Sequence, residues 1–262
     1  MSRRPLLPDR SRPLIFAHRG CSSLAPENTM GAFKKARDLG AGGLELDVHI
    51  CASPGILVVA HDDTFKRTAG DGRNVEDLSW GEIRRINVGA YFQDGKNAGT
   101  PPRLEEVLEE FCPGMYVDIE LKTRKIRGDP LPMLAAKIIR ALGNRTAGAV
   151  TVSSFNPFSL AAFRTRCPGV PTAAIWSAGP EVPPFLRRGL GRFIAHCDYV
   201  KPVYRQLRRP LRPAWTAWEG RPAVPWTIDD PGLAEKMLRL GCEGIITNRP
   251  QDMRFGTGAH DR

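Results

Sequence analysis

What the chain lacks narrows its class first. Its six cysteines, Cys21, Cys51, Cys112, Cys167, Cys197 and Cys242, are scattered singly, with no Cys-x-x-Cys spacing among them. That spacing opposes a zinc site and reads as a set of free thiols, so a reducing cytoplasm is the expected location. No run of about 18 apolar residues occurs, so no membrane span is expected. Residues 1–13, polar and rich in Arg and Pro, lack the pattern of an export signal. The first strand runs into His18-Arg19-Gly20 rather than a glycine-rich phosphate fingerprint, which argues against a doubly wound open sheet, the main alternative fold. Acids are in short supply: 28 Asp and Glu face 38 Lys and Arg, a formal net charge of +10. Only nine of the basic residues are Lys, and no zinc-finger spacing, RNA-binding aromatic signature or long basic helix accompanies the arginines. Nucleic acid is therefore not an expected partner. The arginines do gather at Arg187-Arg188, Arg192, Arg205, Arg208, Arg209 and Arg212.

The hydrophobic content of 42% and charged content of 25% are ordinary for a globular protein, and 262 residues suit an α/β barrel built as one unit. Strand and helix signals alternate. Strands are expected at Leu14–Ala17, Gly43–Ile50, Met115–Lys122, Ala149–Phe155, Thr172–Trp176, Tyr199–Lys201, Ala223–Ile228 and Gly244–Thr247, with Ile56–His61 as an extra strand beside the second. Helices are expected after Asn28-Thr29 up to Gly40, near Leu78–Ile86, at Leu104–Phe111 and Pro157–Arg166, near Pro183–Leu190, and at Gly232–Leu240. Eight core strands in this alternation predict a (β/α)8 TIM barrel over residues 14–251. Residues 62–103, polar, glycine-rich and weakly periodic, read as an insertion after the second strand, residues 1–13 as a loose leader and 252–262 as a tail.

The charged residues break the apolar pattern in a consistent way. Leu14–Ala17 runs into His18, Ile56–Ala60 into His61-Asp62, and Met115–Val117 into Asp118-Ile119-Glu120-Leu121-Lys122, while Glu45 and Asp47 alternate with Leu44, Leu46 and Val48. Side chains alternate faces along a strand, so Glu45 shares a side with Asp47 and Glu120 shares one with Lys122. A carboxylate in an apolar strand must be paired or bound to a cation. Glu45, Asp47 and Glu120 suit one divalent cation, and hard oxygen ligands favour Mg²⁺, Ca²⁺ or Mn²⁺ over zinc. The competing reading is a salt-bridge network with Arg19 and Lys122, but three acids exceed what two bases need. His18 and His61 suit a general base and a general acid. Arg19 and Lys122 offer a fork and a point charge to a phosphate. His49 is expected on the rim, Asp62 as a turn cap and Asp118 as a satisfied polar group deeper in the barrel; His196 and His260 have no acidic company.

In order, His18-Arg19-Gly20, Ala25-Pro26-Glu27-Asn28-Thr29, Glu45-Leu46-Asp47-Val48, Val58-Val59-Ala60-His61-Asp62 and Glu120-Leu121-Lys122 resemble the glycerophosphodiester phosphodiesterase family. Residues 224–229 and 244–250 resemble its closing motifs. The resemblance implies a TIM barrel with an inserted segment and hydrolysis of small glycerophosphodiesters to glycerol 3-phosphate and an alcohol, dependent on Mg²⁺ or Ca²⁺. It implies His18 and His61 as the acid/base pair, Glu45, Asp47 and Glu120 as metal ligands, and Arg19 and Lys122 as phosphate contacts. Glu27 and Asn28 match a supporting motif, Trp226 matches an aromatic lining the substrate pocket, and Phe155 is a second candidate for that lining. Two departures stand out: residues 51–55 replace a Thr-x-Asp-Gly turn, and Asn248 stands where Asp is common. Neither is expected to touch the metal or the histidines. A second reading is a lysophospholipase D-like or cyclising phospholipase acting on lipid head groups, with the basic run around Arg205–Arg212 making transient contact with a membrane surface. A third, non-enzymatic reading is a basic polyanion-binding protein with an inactive barrel, which the intact set of charged residues opposes.

Overall fold

The computed structural model describes residues 14–253 except 96–97, 113, 124, 127, 181 and 208–220. The expected leader, most of the expected tail, His260, and Arg208, Arg209 and Arg212 of the basic run lie outside the described residues. In chain order the elements are β1 Leu14–His18, α1 Met30–Asp38, β2 Gly43–Ile50, β3 Leu57–Val59, β4 Thr64–Phe65, α2 Lys66–Ala69, β5 Asp71–Asn74, α3 Trp80–Ile83 and α4 Leu104–Phe111. They continue with β6 Tyr116–Leu121, α5 Leu131–Leu142, β7 Val150–Ser154, α6 Pro157–Arg164, β8 Thr172–Trp176, α7 Gly191–Ile194, β9 Tyr199–Pro202, α8 Pro231–Arg239 and β10 Gly244–Thr247.

Parallel strands run in the order β10-β1-β2-β6-β7-β8-β9. The space between β9 and β10 is closed by residues 222–228. The Val224 amide donates to the Val200 carbonyl at 2.9 Å, the Ile228 amide to the Ile246 carbonyl at 2.9 Å, and the Ile246 amide to the Pro225 carbonyl at 3.0 Å. The expected strand Ala223–Ile228 is thus the eighth stave, but it forms only isolated bridges at Ala223 and Trp226. Pro222 and Pro225 have no N–H to give to a ladder, which is the physical reason it is not a continuous strand. The architecture is a closed α/β barrel of the TIM type.

Barrel closure explains why β2 is buried along almost its whole length: one face looks into the lumen and the other onto the helices. Outward residues such as Leu44, Leu46 and Val48 join the core with Phe33 and Phe111, whose rings meet edge to face at 5.9 Å. Inside, Leu14, Phe16, Ala173, Tyr199, Val224 and Ile246 form an apolar plug. Helix α1 starts at Thr29, whose hydroxyl accepts from the Ala32 amide at 3.2 Å, and Gly40 at φ +81° follows its end. In α4 the buried positions Leu104, Val107, Leu108 and Phe111 follow the spacing of one helical face.

Three elements differ from expectation. Residues 183–190 form turns rather than a helix, and the helical turn falls at Gly191–Ile194; Pro183 and Pro184 withhold two backbone donors there, and Gly189 is left-handed at φ +76°. The helix expected over Leu78–Ile86 shortens to α3, held by a capping box between Ser79 and Glu82. Helix α5 has no counterpart among the expected helices, although Leu131, Ala135, Ile138 and Ile139 line its buried face. Strand β3 lies antiparallel on β2, and beyond it β4, β5, α2 and α3 surround a small core of their own that includes Val58, Phe65, Val75, Leu78 and Ile83. Among the described residues no helix is long and apolar enough to cross a membrane, and all six cysteines are buried and outside any disulfide.

Candidate active site

Register brings the acids together before any side chain is considered. In the β2–β6 pairing Asp47 stands opposite Glu120 and Glu45 opposite Asp118, while His18 pairs with Glu45 across β1 and β2. Glu45, Asp47 and Glu120 are buried, and each offers an oxygen within 4.8 Å of the others. Lys122 Nζ lies 2.9 Å from Glu120 Oε1 and 3.3 Å from Asp47 Oδ1. Arg19 Nε lies 3.4 Å from Asp47 Oδ2. Parity along the strands therefore placed this group correctly.

The backbone holds Arg19 in an unusual pose. Arg19 and Asn28 both have positive φ, +56° and +54°, a conformation that surrounding structure must impose on residues other than glycine. The Arg19 amide donates to the Glu45 carbonyl at 2.8 Å and the Asn28 amide to the Arg19 carbonyl at 2.9 Å, which ties the loop after β1 across the mouth of β2. Gly20 follows at φ +82°, so close to α1 that a Cβ there would lie 2.7 Å from the Ala32 carbonyl carbon. Asn28 Nδ2 donates to Asp47 Oδ2 at 3.0 Å, and Glu27 Oε1 accepts from Arg19 Nη1 at 2.9 Å. The two supporting residues thus orient one acid and one base of the group.

Each histidine presents one nitrogen and has the other occupied. Asn248 Nδ2 donates to Asp229 Oδ2 at 2.7 Å, which sets the amide so that Oδ1 is an acceptor; His18 Nδ1, 2.7 Å from that oxygen, must donate to it. His18 Nε2 is left 3.9 Å from Glu45 Oε2. His61 Nδ1 lies 2.6 Å from Asp62 Oδ1, and a carboxylate only accepts, so its Nε2 is again the nitrogen left over. Three expectations are corrected here. Asn248 does touch a histidine, because β10 pairs with β1 and delivers it there. His49 is buried rather than on the rim, its Nε2 3.2 Å from the His61 carbonyl, because β3 folds back on β2. Asp62 serves His61 and Arg67 rather than a turn.

Deeper in the lumen, Asp118 is satisfied as expected, by Lys201 Nζ at 2.8 Å and Ser153 Oγ at 2.9 Å. Lys201, 1% exposed, also lies 3.8 Å from Glu45 Oε1. Lys201 escaped the sequence reading; its parity with the inward-facing Tyr199 in β9 was the available signal. Half-buried Phe155 and Trp226 meet edge to face at 5.8 Å, and the indole N–H donates to the Lys201 carbonyl at 2.9 Å. Phe155 falls just past the end of β7 rather than within the strand.

The electrostatics are uneven. Burial, together with neighbouring Asp47, pushes the Glu45 carboxyl up to about 8. Burial works the same way on Asp47, but Lys122 and Arg19 outweigh it and hold that carboxyl well below the usual range. Burial opposes the charge on Lys122, yet Glu120 and Asp47 carry its ammonium above its ordinary value. Burial and Arg19 push His18 down to about 4, so it is neutral at pH 7. Negative charge at Glu45 is therefore under-compensated. Asn28 Oδ1, buried beside Asp47, accepts no hydrogen bond among the described residues. Three converging carboxyl groups, one of them kept from ionising by burial and by its neighbours, with a spare amide oxygen nearby, are a donor set that fits a hard divalent cation.

A model of the glycerophosphoryl diester phosphodiesterase family matches residues 18–252. The chain is 31% identical over 244 residues to a glycerophosphodiester phosphodiesterase of Caldanaerobacter subterraneus subsp. tengcongensis, covering 92% of this chain and 96% of that one. It is 32% identical over 244 residues to a glycerophosphodiester phosphodiesterase of Bacillus altitudinis, covering 90% and 94%. Among solved structures, an Oleispira antarctica phosphodiesterase in complex with the product sn-glycerol-3-phosphate superposes with a TM-score of 0.77 at 25% identity, over 95% of this chain and 97% of that one. A glycerophosphodiester phosphodiesterase of Agrobacterium tumefaciens does so with a TM-score of 0.75 at 27% identity, over 92% and 99%. Sequence, fold and the grouping of acids, bases and histidines agree: the chain belongs to the glycerophosphoryl diester phosphodiesterase family.

Proposed function

We propose that this enzyme hydrolyses small glycerophosphodiesters to glycerol 3-phosphate and an alcohol, with a divalent cation held by Glu45, Asp47 and Glu120 and with His18 and His61 as the acid/base pair. The observation that carries the reading is the convergence of those three buried carboxylates beneath two imidazoles that each leave Nε2 available. Mg²⁺ or Ca²⁺, with Mn²⁺ as a third candidate, would supply Lewis acidity and neutralise phosphate charge. Arg19 and Lys122 add fixed positive charge on either side of Asp47 and hold the phosphate oxygens as charge develops. One histidine takes the proton of the nucleophile, water or the substrate's own neighbouring hydroxyl, as its oxygen bonds to phosphorus, and the other protonates the alkoxide released as the ester P–O bond breaks. A cyclic phosphate formed by the second route is then opened by water. Trp226 and Phe155 form an apolar wall for the glycerol or alcohol portion. The catalytic unit is residues 14–251, with 62–103 as an insertion, and six buried cysteines with no disulfide among them support a cytoplasmic location.

A substrate panel tests the reading. Chelator-treated protein is expected to be inactive and to recover with Mg²⁺ or Ca²⁺, hydrolysing glycerophosphocholine in preference to lysophosphatidylcholine. His18→Ala and His61→Ala are each expected to lower kcat by about a hundredfold or more. Full turnover in excess chelator overturns the cation, and the opposite substrate preference moves the enzyme to the lipid head-group reading.

A further inference from the structure

We infer that Arg67, in α2 of the segment beyond β3, is a positioning residue that couples His61 to the phosphate-facing Arg19. The inference deepens, and rests on, the acid/base reading of His61. The Arg67 guanidinium meets three carboxylate oxygens: Nη2 donates to Glu27 Oε1 at 2.7 Å, Nη1 to Glu27 Oε2 at 2.8 Å, and Nε to Asp62 Oδ2 at 2.7 Å. The other Asp62 oxygen is the one that receives His61 Nδ1 at 2.6 Å. Glu27 Oε1 in turn accepts from Arg19 Nη1 at 2.9 Å, and Arg19 Nε faces Asp47. One side chain joins the two arms of the site into the series His61, Asp62, Arg67, Glu27, Arg19. Glu27, Asn28, His61, Asp62 and Arg67 line one shared cavity.

The geometry says what this series does. His61 follows a three-residue strand on a loop, its ring is about one-third exposed, and Asp62 is equally open. An imidazole so placed turns freely unless its Nδ1 proton is directed, and the carboxylate that directs it needs its own second oxygen held. Arg67 holds that oxygen while its other two nitrogens are fixed on Glu27. As an ion pair for stability Arg67 counts for little, because its side chain is half exposed and such pairs are weak in water. Its contribution is orientation. Bridging two carboxylates in set directions requires the planar fork of arginine; a lysine supplies the charge without the directions.

The experiment uses the full chain with Mg²⁺ and glycerophosphocholine. Arg67→Met is expected to lower kcat about 10- to 100-fold, the range seen when a residue supporting a site ligand is lost, while the melting temperature moves by no more than about 2 °C. Arg67→Lys does not restore kcat. The isosteric Asp62→Asn shows the same loss, and adding Arg67→Met to it lowers kcat by less than about twofold further, because both act through one contact. In nitrogen-15 spectra the His61 Nδ1–H resonance, visible in the wild type, disappears in both single variants. Persistence of that resonance in Arg67→Met, full rescue by lysine, or unchanged kcat in Arg67→Met overturns the inference. His61→Ala separates the two failures. If His61→Ala turns over normally, the acid/base reading falls; if it is inactive while Arg67→Met is normal, only the role of Arg67 falls.

Discussion

Two layers of buried acid lie in the same lumen, within one pleat of each other, and they are resolved differently. In the deeper layer Asp118 meets a lysine at 2.8 Å and a serine at 2.9 Å, and its charge is matched. In the layer at the strand ends, Asp47 takes both Lys122 and Arg19, Glu120 shares Lys122, and Glu45 has a lysine at 3.8 Å, the Arg19 amide at 3.3 Å and a neutral imidazole. Burial is common to both, so burial does not make a site. Convergence does: the deeper acid is matched locally in charge and hydrogen bonds, whereas the three outer acids converge closely enough that they could hold a metal ion.

The comparison is broken most sharply by removing the outer acids. Glu45→Gln, Asp47→Asn and Glu120→Gln are each expected to lower kcat/KM about a thousandfold at saturating Mg²⁺, and Glu45→Gln keeps or gains thermal stability at pH 7 because folding no longer has to hold a carboxyl protonated that ionises in the unfolded chain. Near-normal turnover in a steady-state assay removes that acid from the site. Next in size is Lys201→Met, which leaves Asp118 buried without its cation and is expected to lose about 3–5 kcal/mol in urea unfolding. A loss under about 1 kcal/mol would mean that the deeper layer is not held by this pair. Smallest is Lys122→Met, expected to lower kcat/KM by about tenfold or more with little change in melting temperature. A variant that melts early yet turns over normally moves Lys122 from the outer layer to the scaffold.

The outer layer was legible in sequence because parity and register are local properties. Alternation put Glu45 with Asp47 and Glu120 with Lys122, and two adjacent parallel strands then had few ways to place them apart. What escaped depends on distant closure or on a segment without periodicity. Lys201 stands in a four-residue strand whose inward face is evident only once the barrel is closed. Arg67 lies in a polar stretch where neither a two- nor a 3.6-residue period guides the eye. Asn248 reads as a departure in a closing motif until β10 is laid against β1. Residues 223–228 carry the apolar content of a strand, and Pro225 within them and Pro222 just before deny them its ladder.

That contact between Asn248 and His18 spans 230 residues and sets the order in which the site is assembled. A chain emerging from the ribosome has made all three outer acids, both histidines, Arg19 and Lys122 by residue 122. It has not made the latch. Asp229 fixes the Asn248 amide, and Asn248 directs the His18 ring, only after the last stave docks on the first. Contacts of such separation form late, because the loop they close is long. Nascent or clipped chains that lack the last strand therefore carry the acidic residues without the amide that orients His18.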